Sequence, residues 1–325
     1  MPHSTSKDMI HIIGTGSYLP EQIMTNQELE RLVETSDEWI TTRTGIKERR
    51  IADKTEAASD LAIQAAKKAI TDARIQSDQI ELIVVATATP DMFFPSTACF
   101  VQKGLGIKNA VAFDVSAACS GFLFALTTVK ALLESGPYKT ALVIGTEKLS
   151  SITDWKDRGT CILFGDGAGA AVLQKQNGMQ GILSTYIGTD ATQTDILDVP
   201  GGGSRNPQKE AAIHMEGKEV FKFAVLKMIF ATKEALQLAG KRESDLALLI
   251  PHQANLRIIE AIAERVQLPR DRIFVNLQKY GNMSAATTIV ALDEARREGR
   301  VKKGDLVELV AFGAGLTWGA AMIQF

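Results

Sequence analysis

The chain has 325 residues, of which 45% are hydrophobic and 23% are charged, and its 36 Lys and Arg against 38 Asp and Glu give a net charge of -2. At about 150 residues per domain, this length predicts two domains or one large doubled unit. The composition excludes intrinsic disorder, and a near-neutral charge without a long basic run argues against nucleic acid as a partner. The longest uncharged stretch, Leu309 to Phe325, falls short of the roughly 18 to 20 apolar residues that a spanning helix needs. We therefore expect no membrane partner.

Lys7 and Asp8 stand where a secretory signal would need an uninterrupted apolar stretch, which predicts a cytoplasmic protein. The three cysteines, Cys99, Cys119 and Cys161, are too far apart to form a Cys-x-x-Cys metal or redox pair. We therefore expect reduced thiols and no metal site.

Apolar runs that favour β-strands alternate with helical patterns, a rhythm typical of α/β architecture. The strand candidates in chain order are Ile80 to Thr87, Val111 to Val115, Thr140 to Gly145, Gly169 to Leu173, Leu246 to Ile250 and Leu306 to Phe312. The helix candidates are Ala57 to Ala73, Gly121 to Glu134, Val220 to Ala239 and Leu256 to Val266. The glycine-rich stretch from Asp198 to Ala212 predicts a surface insertion or flap.

The order of these elements repeats after a shift of 165 residues, which places Thr87 on His252 and Cys119 on Ser284. This repeat predicts an internally duplicated α/β protein. Its first half would span residues 1–178 and carry Cys119, and its second half would span residues 179–325 and carry His252 and Asn282. Because open α/β sheets bind ligands beyond the carboxyl ends of their strands, residues near 87, 119, 252 and 284 should converge.

Cys119 follows a strand directly and stands at the mouth of a helix. The partial positive charge of a helix amino terminus stabilises a thiolate, so this position predicts a lowered thiol pKa and a nucleophile. A small core hydrophobe is the alternative for Cys119, and a core or capping role is the alternative for His252 and Asn282. Together, a thiol, an imidazole and an amide at pseudo-equivalent loops favour acyl transfer. The closing turn in AFGAGLTWGAA offers backbone N–H groups that can complete an oxyanion hole with the N–H of Cys119.

Four motifs, SAACSGF, PHQANLRI, YGNMSAAT and FGAGLTWG, resemble in their order the signatures of β-ketoacyl-acyl-carrier-protein synthase III, a family of the thiolase-like superfamily. The resemblance spans nearly the whole chain and extends to SDEWITTRTGIKERR and EGKEVFKFAV. The Cys, His and Asn set separates this branch from thiolases, which use a second Cys, and from elongating synthases, which use two His. The resemblance implies a five-layered αβαβα fold, a homodimer and the first condensation of type II fatty acid synthesis.

By this resemblance, Cys119 takes the acyl group from an acyl-CoA primer and releases CoA, which is thus a substrate and not a cofactor. His252 and Asn282 then hold the thioester oxygen of malonyl-acyl-carrier-protein during decarboxylation, and the resulting enolate attacks the acyl-Cys119. The backbone N–H groups of Cys119 and Ala314 form the oxyanion hole.

The resemblance also implies binding residues. Those for CoA are Trp39, Arg43, Arg158 and Asn255. Those for docking the acidic carrier protein are Lys222, Gln253, Ala254, Asn255, Leu256 and Arg257. Phe94 matches a residue that reaches into the acyl pocket of the partner subunit. The chain departs from the family pattern at Glu264, which precedes Arg265 where some relatives carry two basic residues, and at Ala314, in a turn often written with three glycines.

Three other functions stay open at this point. The first is a paralogous starter ketosynthase or acyltransferase of secondary metabolism. The second is a Cys-His-Asn hydrolase, although the papain signature Cys-Gly-Ser-Cys-Trp is absent. The third is a binding protein without catalysis, which predicts no acyl adduct on Cys119.

Overall fold

The structure is a computed structural model that describes residues 8–325, so Lys7, which enters the signal-peptide argument, lies outside the described residues. The strands within this range are β1 (Asp8–Tyr18), β2 (Gln22–Thr25), β3 (Glu48–Ile51), β4 (Leu82–Ala86), β5 (Val111–Val115), β6 (Thr140–Lys148), β7 (Asp166–Asn177), β8 (Gly181–Thr189), β9 (Leu197–Asp198), β10 (His214–Met215), β11 (Leu246–Pro251), β12 (Leu306–Gly313) and β13 (Thr317–Gln324). The α-helices are α1 (Asn26–Leu29), α2 (Asp37–Thr44), α3 (Ala58–Ala73), α4 (Thr97–Gly104), α5 (Gly121–Ser135), α6 (Gly217–Ala239), α7 (Leu256–Val266), α8 (Leu277–Tyr280) and α9 (Thr287–Arg297). Every strand and helix predicted from the sequence is present, most of them with ends shifted by a few residues.

Two sheets repeat one plan. The first has the order β1-β7-β6-β4-β5, in which β4 runs parallel to β5 and β6, whereas β7 pairs antiparallel with β6 and β1. The second has the order β8-β13-β12-β11, with β11 parallel to β12 and the other pairs antiparallel. All strands of the first sheet lie before Gly178 and all strands of the second lie after it. The fold is therefore an internally duplicated α/β structure.

The duplication aligns two short 3-10 turns, Ala118–Ser120 before α5 and Ser284–Ala286 before α9. Each turn begins at a residue with positive φ, +44° at Ala118 and +43° at Ser284. This shared backbone feature fixes the equivalence of Ala118 with Ser284. The predicted alignment of Cys119 with Ser284 is wrong by one residue. The two turns are 166 residues apart in the chain and not 165, because the second half has one more residue before its turn, and a constant shift cannot account for it.

The helices and sheets form five layers, αβαβα. Helices α3 and α4 pack on the outer face of the first sheet. Helices α5 and α9 lie between the two sheets, and α6 and α7 cover the outer face of the second. The segment Ala118–Ser135 is long and apolar enough to span a membrane, but it contains the central helix α5, which packs between the sheets. The fully buried run of β4 follows from this sandwich, because both faces of a central parallel strand are covered.

The buried side chain of Arg49 stabilises one wall of the cavity that is described below. The guanidinium of Arg49, which is fully buried, donates to the Met24 carbonyl (3.0 Å), the Asn26 side chain (2.9 Å) and the Ile162 carbonyl (2.7 Å). Burial lowers its pKa to about 10. Next to it, Leu163 O accepts from the backbone N–H of Asn282 (2.8 Å), so this wall connects to the second half of the molecule.

The predicted insertion is a surface loop, as expected. It leaves the fold at β9 and returns at β10, and these two strands pair antiparallel at its base. Residues 203–210 are exposed, whereas Ile213 is buried and lines the cavity described below.

Candidate active site

Cys119 occupies a strained and tightly held turn. Positive φ is rare for a residue other than glycine, so the left-handed conformation of Ala118 must be imposed by its surroundings. Two hydrogen bonds do this: Ser120 Oγ donates to Thr317 O (3.0 Å), and Thr317 Oγ1 donates to Ala117 O (3.1 Å). The turn between β5 and α5 is thus fastened to β13 on both sides of the thiol.

The end of β12 lies against the same turn. A Cβ atom built on Gly313 would stand 2.6 Å from Cys119 N and 3.1 Å from Cys119 Cβ, so only glycine allows this approach. Ala314 follows and lines the cavity. Its φ is not positive, so alanine fits where relatives often have glycine. The backbone N–H groups of Cys119 and Ala314 therefore belong to neighbouring turns at one side of the thiol.

His252 follows β11 and is fixed by its backbone N–H, which donates to Val310 O (2.8 Å). Its Nδ1 lies 2.6 Å from Thr287 Oγ1, and the Thr287 hydroxyl donates to Ser284 O (3.0 Å). Thr287 thus links the imidazole to the turn that contains Ser284. Burial lowers the pKa of His252 to about 3, so the ring is neutral. Because Nδ1 is engaged with Thr287, Nε2 is the ring nitrogen that remains for the cavity.

Asn282 is held in one orientation. Its Oδ1 accepts from the backbone N–H of Ser284 (2.8 Å), and its backbone N–H donates to Leu163 O (2.8 Å). Because the amide oxygen is engaged, Nδ2 is the group that the side chain offers to the cavity. The site thus presents two neutral polar groups to the cavity, the His252 imidazole and the Asn282 amide.

The prediction of a lowered thiol pKa is wrong. Burial raises the pKa of Cys119 to about 12, with a further rise from the Glu147 carboxylate and an opposing hydrogen bond from Ser284. The sequence revealed the helix terminus but not the apolar burial, which outweighs it. Cys119 is therefore a thiol at rest, and its proton must leave as the sulfur attacks.

The thiol opens into a cavity of about 1020 Å³. The predicted convergence of the four loops is confirmed, because Ala88, Cys119, His252 and Ser284 all line this cavity. Its remaining polar lining near the thiol is Asn282. Its walls are mostly apolar, with Leu149, Ile152, Ile162, Phe164, Ala224, Met228 and Phe312 among them.

The mouth of the cavity carries Trp39, Arg43 and Asn255. The guanidinium carbons of Arg43 and Arg158 lie over the Trp39 ring, 4.3 Å and 4.9 Å from its centroid. Arg158 also donates to Glu34 O (3.1 Å). Asn255 caps α7, its side chain accepting from Arg257 N (2.9 Å). An aromatic face and two guanidinium groups suit a ligand that carries a base and phosphates.

The residues predicted to dock a carrier protein divide into two groups. Lys222 on α6 and Arg257 on α7 are exposed, and Ala254, Asn255 and Leu256 are partly exposed beside them. Gln253 was expected in this surface, but it is fully buried. Its side chain donates to Pro251 O (2.7 Å) and Phe274 O (3.2 Å) and accepts from Asn276 N (3.0 Å). Gln253 thus holds the loop that carries His252 and does not face a partner.

Phe94 lies away from the cavity of its own chain. Its side chain is 82% exposed, beside Phe93 at 86% and Met92 at 49%. The loop therefore presents three large apolar side chains to solvent next to the edge strand β5.

Sequence reasoning did not single out Glu147, and it used Ser284 only as the repeat partner of Cys119. Glu147 stands at the end of the apolar run ALVIGTEK in β6 and is fully buried. The sequence pattern that could have identified Glu147 is a single carboxylate at the end of an apolar strand, because a buried carboxylate needs hydrogen-bond partners. Within residues 8–325, no group of three or more His, Cys, Asp or Glu could hold a metal ion.

A duplicated five-layered fold with a cysteine at the amino end of its central helix defines the thiolase-like class of acyl-transferring enzymes. The family model for 3-oxoacyl-[acyl-carrier-protein (ACP)] synthase III matches residues 113–191, and the model for the C terminal part of the same synthase matches residues 236–325. β-Ketoacyl-[acyl-carrier-protein] synthase III of Caldanaerobacter subterraneus subsp. tengcongensis is 55% identical over 321 residues, which cover 97% of each chain. The crystal structure of 3-oxoacyl-[acyl-carrier-protein] synthase III from Aquifex aeolicus is 49% identical with a TM-score of 0.93, covering 97% of this chain and 100% of that one. The chain belongs to the β-ketoacyl-[acyl-carrier-protein] synthase III family.

A solved structure with another role also matches. The priming β-ketosynthase from the R1128 polyketide biosynthetic pathway is 34% identical with a TM-score of 0.92, covering 100% of this chain and 99% of that one. The fold and the family are thus shared between synthases with different products.

Proposed function

We propose that this chain catalyses the initiating condensation of type II fatty acid synthesis, in which an acyl-CoA primer and malonyl-acyl-carrier-protein give a 3-oxoacyl-acyl-carrier-protein, CoA and CO₂. The observation that carries this proposal is the set of Cys119, His252 and Asn282 in one cavity with mostly apolar walls, where burial keeps the thiol protonated and the imidazole neutral. The high identity to curated synthases of this family supports it.

In the first step, the Cys119 sulfur attacks the thioester carbonyl of the acyl-CoA. The S–C bond to Cys119 forms, the bond from the carbonyl carbon to the CoA sulfur breaks, and CoA leaves as a thiol that carries the proton given up by Cys119. The backbone N–H groups of Cys119 and Ala314 stabilise the oxyanion of the tetrahedral intermediate. Cys119 emerges as an acyl thioester in a cavity with apolar walls.

In the second step, malonyl-acyl-carrier-protein enters the same cavity and loses CO₂. The electron pair of the broken C–C bond becomes an enolate whose oxygen accepts hydrogen bonds from His252 Nε2 and Asn282 Nδ2. Two neutral donors suit this task, because they stabilise the developing charge and do not protonate the carbon. The enolate carbon attacks acyl-Cys119, the bond from that acyl carbon to the Cys119 sulfur breaks, and the sulfur takes up one proton from solvent to restore the thiol.

CoA would bind at the mouth, with its adenine stacked between Trp39 and Arg158 and its phosphates near Arg43. The carrier protein would dock on Lys222 and Arg257, which attract its acidic surface. Glu264 on α7 adds a negative charge where some relatives have a basic one, which weakens this docking.

The exposed loop Met92 to Phe94 and the open edge of β5 support a homodimer. Three exposed apolar side chains beside an unpaired strand edge would be an aggregation hazard unless covered. A second copy covers both, and Phe94 then reaches the acyl pocket of the partner. The two halves, residues 1–178 and 179–325, act together in each subunit, in the cytoplasm and without a cofactor.

Intact-mass spectrometry tests the proposal. The purified protein is incubated with a panel of acyl-CoAs and then with malonyl-acyl-carrier-protein. We expect an acyl adduct on Cys119 that disappears as 3-oxoacyl-carrier-protein forms, and the best primer identifies itself by the extent of labelling. No adduct with any thioester would reject the proposal and favour a binding protein without catalysis.

A starter synthase of secondary metabolism is the second candidate, because the R1128 priming ketosynthase matches the whole chain. The two candidates differ in partner, so the assay compares the carrier protein of fatty acid synthesis with a polyketide carrier protein. A strong preference for the polyketide carrier would favour the second candidate. Release of free acid faster than condensation would instead favour a hydrolase.

A further inference from the structure

Asn282 is held along its backbone by a segment from the first half of the chain. It forms a parallel β-bridge with Phe164. Its backbone N–H donates to Leu163 O (2.8 Å), and its backbone carbonyl accepts from the N–H of Gly165 (3.0 Å). Because two hydrogen bonds fix the Asn282 backbone against this segment, the place of its amide in the cavity depends on where residues 162–165 lie.

The guanidinium of Arg49 fixes one end of that segment. Its Nη2 donates to Ile162 O (2.7 Å), while its Nη1 donates to Met24 O (3.0 Å) and Asn26 Oδ1 (2.9 Å). The planar fork therefore connects the segment to β2 and to the first residue of α1. A cation with a single nitrogen cannot reproduce this geometry on both sides at once.

Arg49 also contacts the bridge through its Cβ atom. A Cβ atom built on Gly165 would lie 3.1 Å from Arg49 Cβ, and one built on Gly281 would lie 3.2 Å from it. Gly281 directly precedes Asn282 and has a φ of +65°. The side chain of Arg49 thus packs against both partners of the bridge with its base and holds Ile162 with its head.

Stability alone does not account for an arginine at this position. The guanidinium is fully buried, its three acceptors are uncharged, and its Nε has no hydrogen-bond partner within residues 8–325. A buried cation without an anionic partner and a buried unpaired donor both cost free energy of folding, which apolar packing of similar size would avoid. What distinguishes Arg49 from an apolar residue is its directed hydrogen bonds, and one of them ends on the segment that holds Asn282.

We propose that Arg49 is a positioning residue for Asn282 and thereby for decarboxylation, an inference that rests on the proposed function. Arg49 is buried behind the cavity wall and does not line the cavity. It holds residues 162–165 so that the Asn282 amide meets the enolate oxygen. Cys119 is fastened separately, because hydrogen bonds with Thr317 fix its turn to β13. Loss of the Arg49 fork should therefore slow the second step and spare the first.

Arg49→Lys tests this role with the charge retained. Displacement of a reacting group by about 1 Å can cost about 100-fold in rate, so we expect CO₂ release from labelled malonyl-acyl-carrier-protein to fall about 10- to 100-fold. The loss should lie in kcat, with KM for the carrier changed less than about twofold. Acylation by a saturating acyl-CoA, followed by rapid-quench mass spectrometry, should also change less than about twofold. Arg49→Gln, which buries no ammonium group, is measured alongside and should show the same selective loss.

Arg50→Lys is the matched control. Arg50 is the next residue of β3, but its Nη1 donates to Pro20 O (3.2 Å) and its guanidinium lies 5.9 Å from the centroid of the Tyr280 ring. Its hydrogen bond thus leads away from residues 162–165. Both steps should stay within about twofold of the wild type, and a loss of decarboxylation as large as in Arg49→Lys would contradict the proposal.

A double-mutant cycle shows whether Arg49 acts through Asn282. In an Asn282→Ala background the amide is already absent, so Arg49→Lys should cause no further loss of CO₂ release. A merely structural role would instead lower the rate by the same factor in both backgrounds. That outcome, or an equal loss of acylation and decarboxylation in folded Arg49→Lys protein, would overturn the positioning role. Wild-type protein that releases no CO₂ would reject the proposed function, whereas normal release by both Arg49→Lys and the wild type would reject only the role of Arg49.

Discussion

The turns Ala118–Ser120 and Ser284–Ala286 have the same backbone and opposite duties. Each begins with a left-handed residue and each leads into a helix of the middle layer, α5 or α9. The first turn carries the reactive group, at its second position. The second turn does not carry the reactive thiol, but its first residue, Ser284, holds the Asn282 amide through its backbone N–H and accepts from Thr287, which contacts the His252 imidazole. Duplication of a strained turn thus provides one copy for reactivity and one for support.

The largest effect that separates the two turns should come from Cys119→Ser. A serine hydroxyl is a far weaker nucleophile than a thiolate, so acylation should fall by about 10³-fold or more. Intact-mass spectrometry with acyl-CoA measures it. Cys99→Ser is the control, because its contact with Ser96 can be kept by a hydroxyl. Acylation that survived in Cys119→Ser would move the nucleophile elsewhere.

Asn282→Ala tests the turn Ser284–Ala286 by removing the amide side chain that this turn orients. Acylation should persist, whereas decarboxylation should fall about 10²- to 10³-fold, since one of two donors to the enolate oxygen is lost. Release of labelled CO₂ from malonyl-acyl-carrier-protein measures the second step. If both steps fell equally, the separation of roles would be wrong.

Gly313 packs closely against the first turn and Gly145 against the second, so alanine substitutions at these glycines compare the two turns directly. A Cβ on Gly313 would clash with Cys119 N, and a Cβ on Gly145 would clash with the Ala285 carbonyl. Gly313→Ala should displace the thiol and lower acylation about 100-fold. Gly145→Ala should mainly impair decarboxylation. Thermal melting checks that each variant folds, and identical kinetic defects would show that the two turns move as one body.

The smallest effect on activity is expected at a second buried carboxylate, Glu308, which lies outside the cavity and lacks the donors that surround Glu147. Glu308 on β12 accepts from Thr232 Oγ1 (2.6 Å), and its Oε2 has no partner. Burial raises its pKa from 4.5 to about 8, so the folded protein holds a proton that the unfolded chain releases. The resulting stability is fully present below pH 4.5 and is lost as pH rises to about 8.

Glu308→Gln should remove that loss. Relative to this variant, the free energy of unfolding of the wild type should decline by about 1.4 kcal/mol per pH unit between these limits. Urea unfolding at pH 5 and pH 8 measures it. Parallel pH dependence in the two proteins would contradict the assignment, and Glu147→Gln provides the comparison with a carboxylate rich in donors.

The sequence predicted strands and helices well where the periodicity of hydrophobic residues determines the local structure. The strand Val111 to Val115 and the helix Leu256 to Val266 have the same ends in the structure as in the prediction. The strands β1 and β8 were missed, because glycines and polar residues weaken the alternation in Asp8–Tyr18 and Gly181–Thr189.

The chemistry of single groups was harder to predict. The position of Cys119 at a helix terminus was readable, but its pKa depends on burial by residues far apart in the chain. Gln253 belongs to a motif that faces the cavity, yet only the fold shows that its own side chain points into the core. Glu147 and Ser284 are 137 residues apart, and no local pattern connects them.

Arg49 has a consequence for experiments at high ionic strength. Its guanidinium is compensated by two carbonyls and an amide, not by a carboxylate, and it is buried. Mobile ions cannot screen these contacts, whereas they do screen the exposed charges of Lys222 and Arg257. Added salt should therefore leave the wall of the cavity intact while it weakens carrier capture, so a salt series distinguishes recruitment of the second substrate from the bond-making that follows.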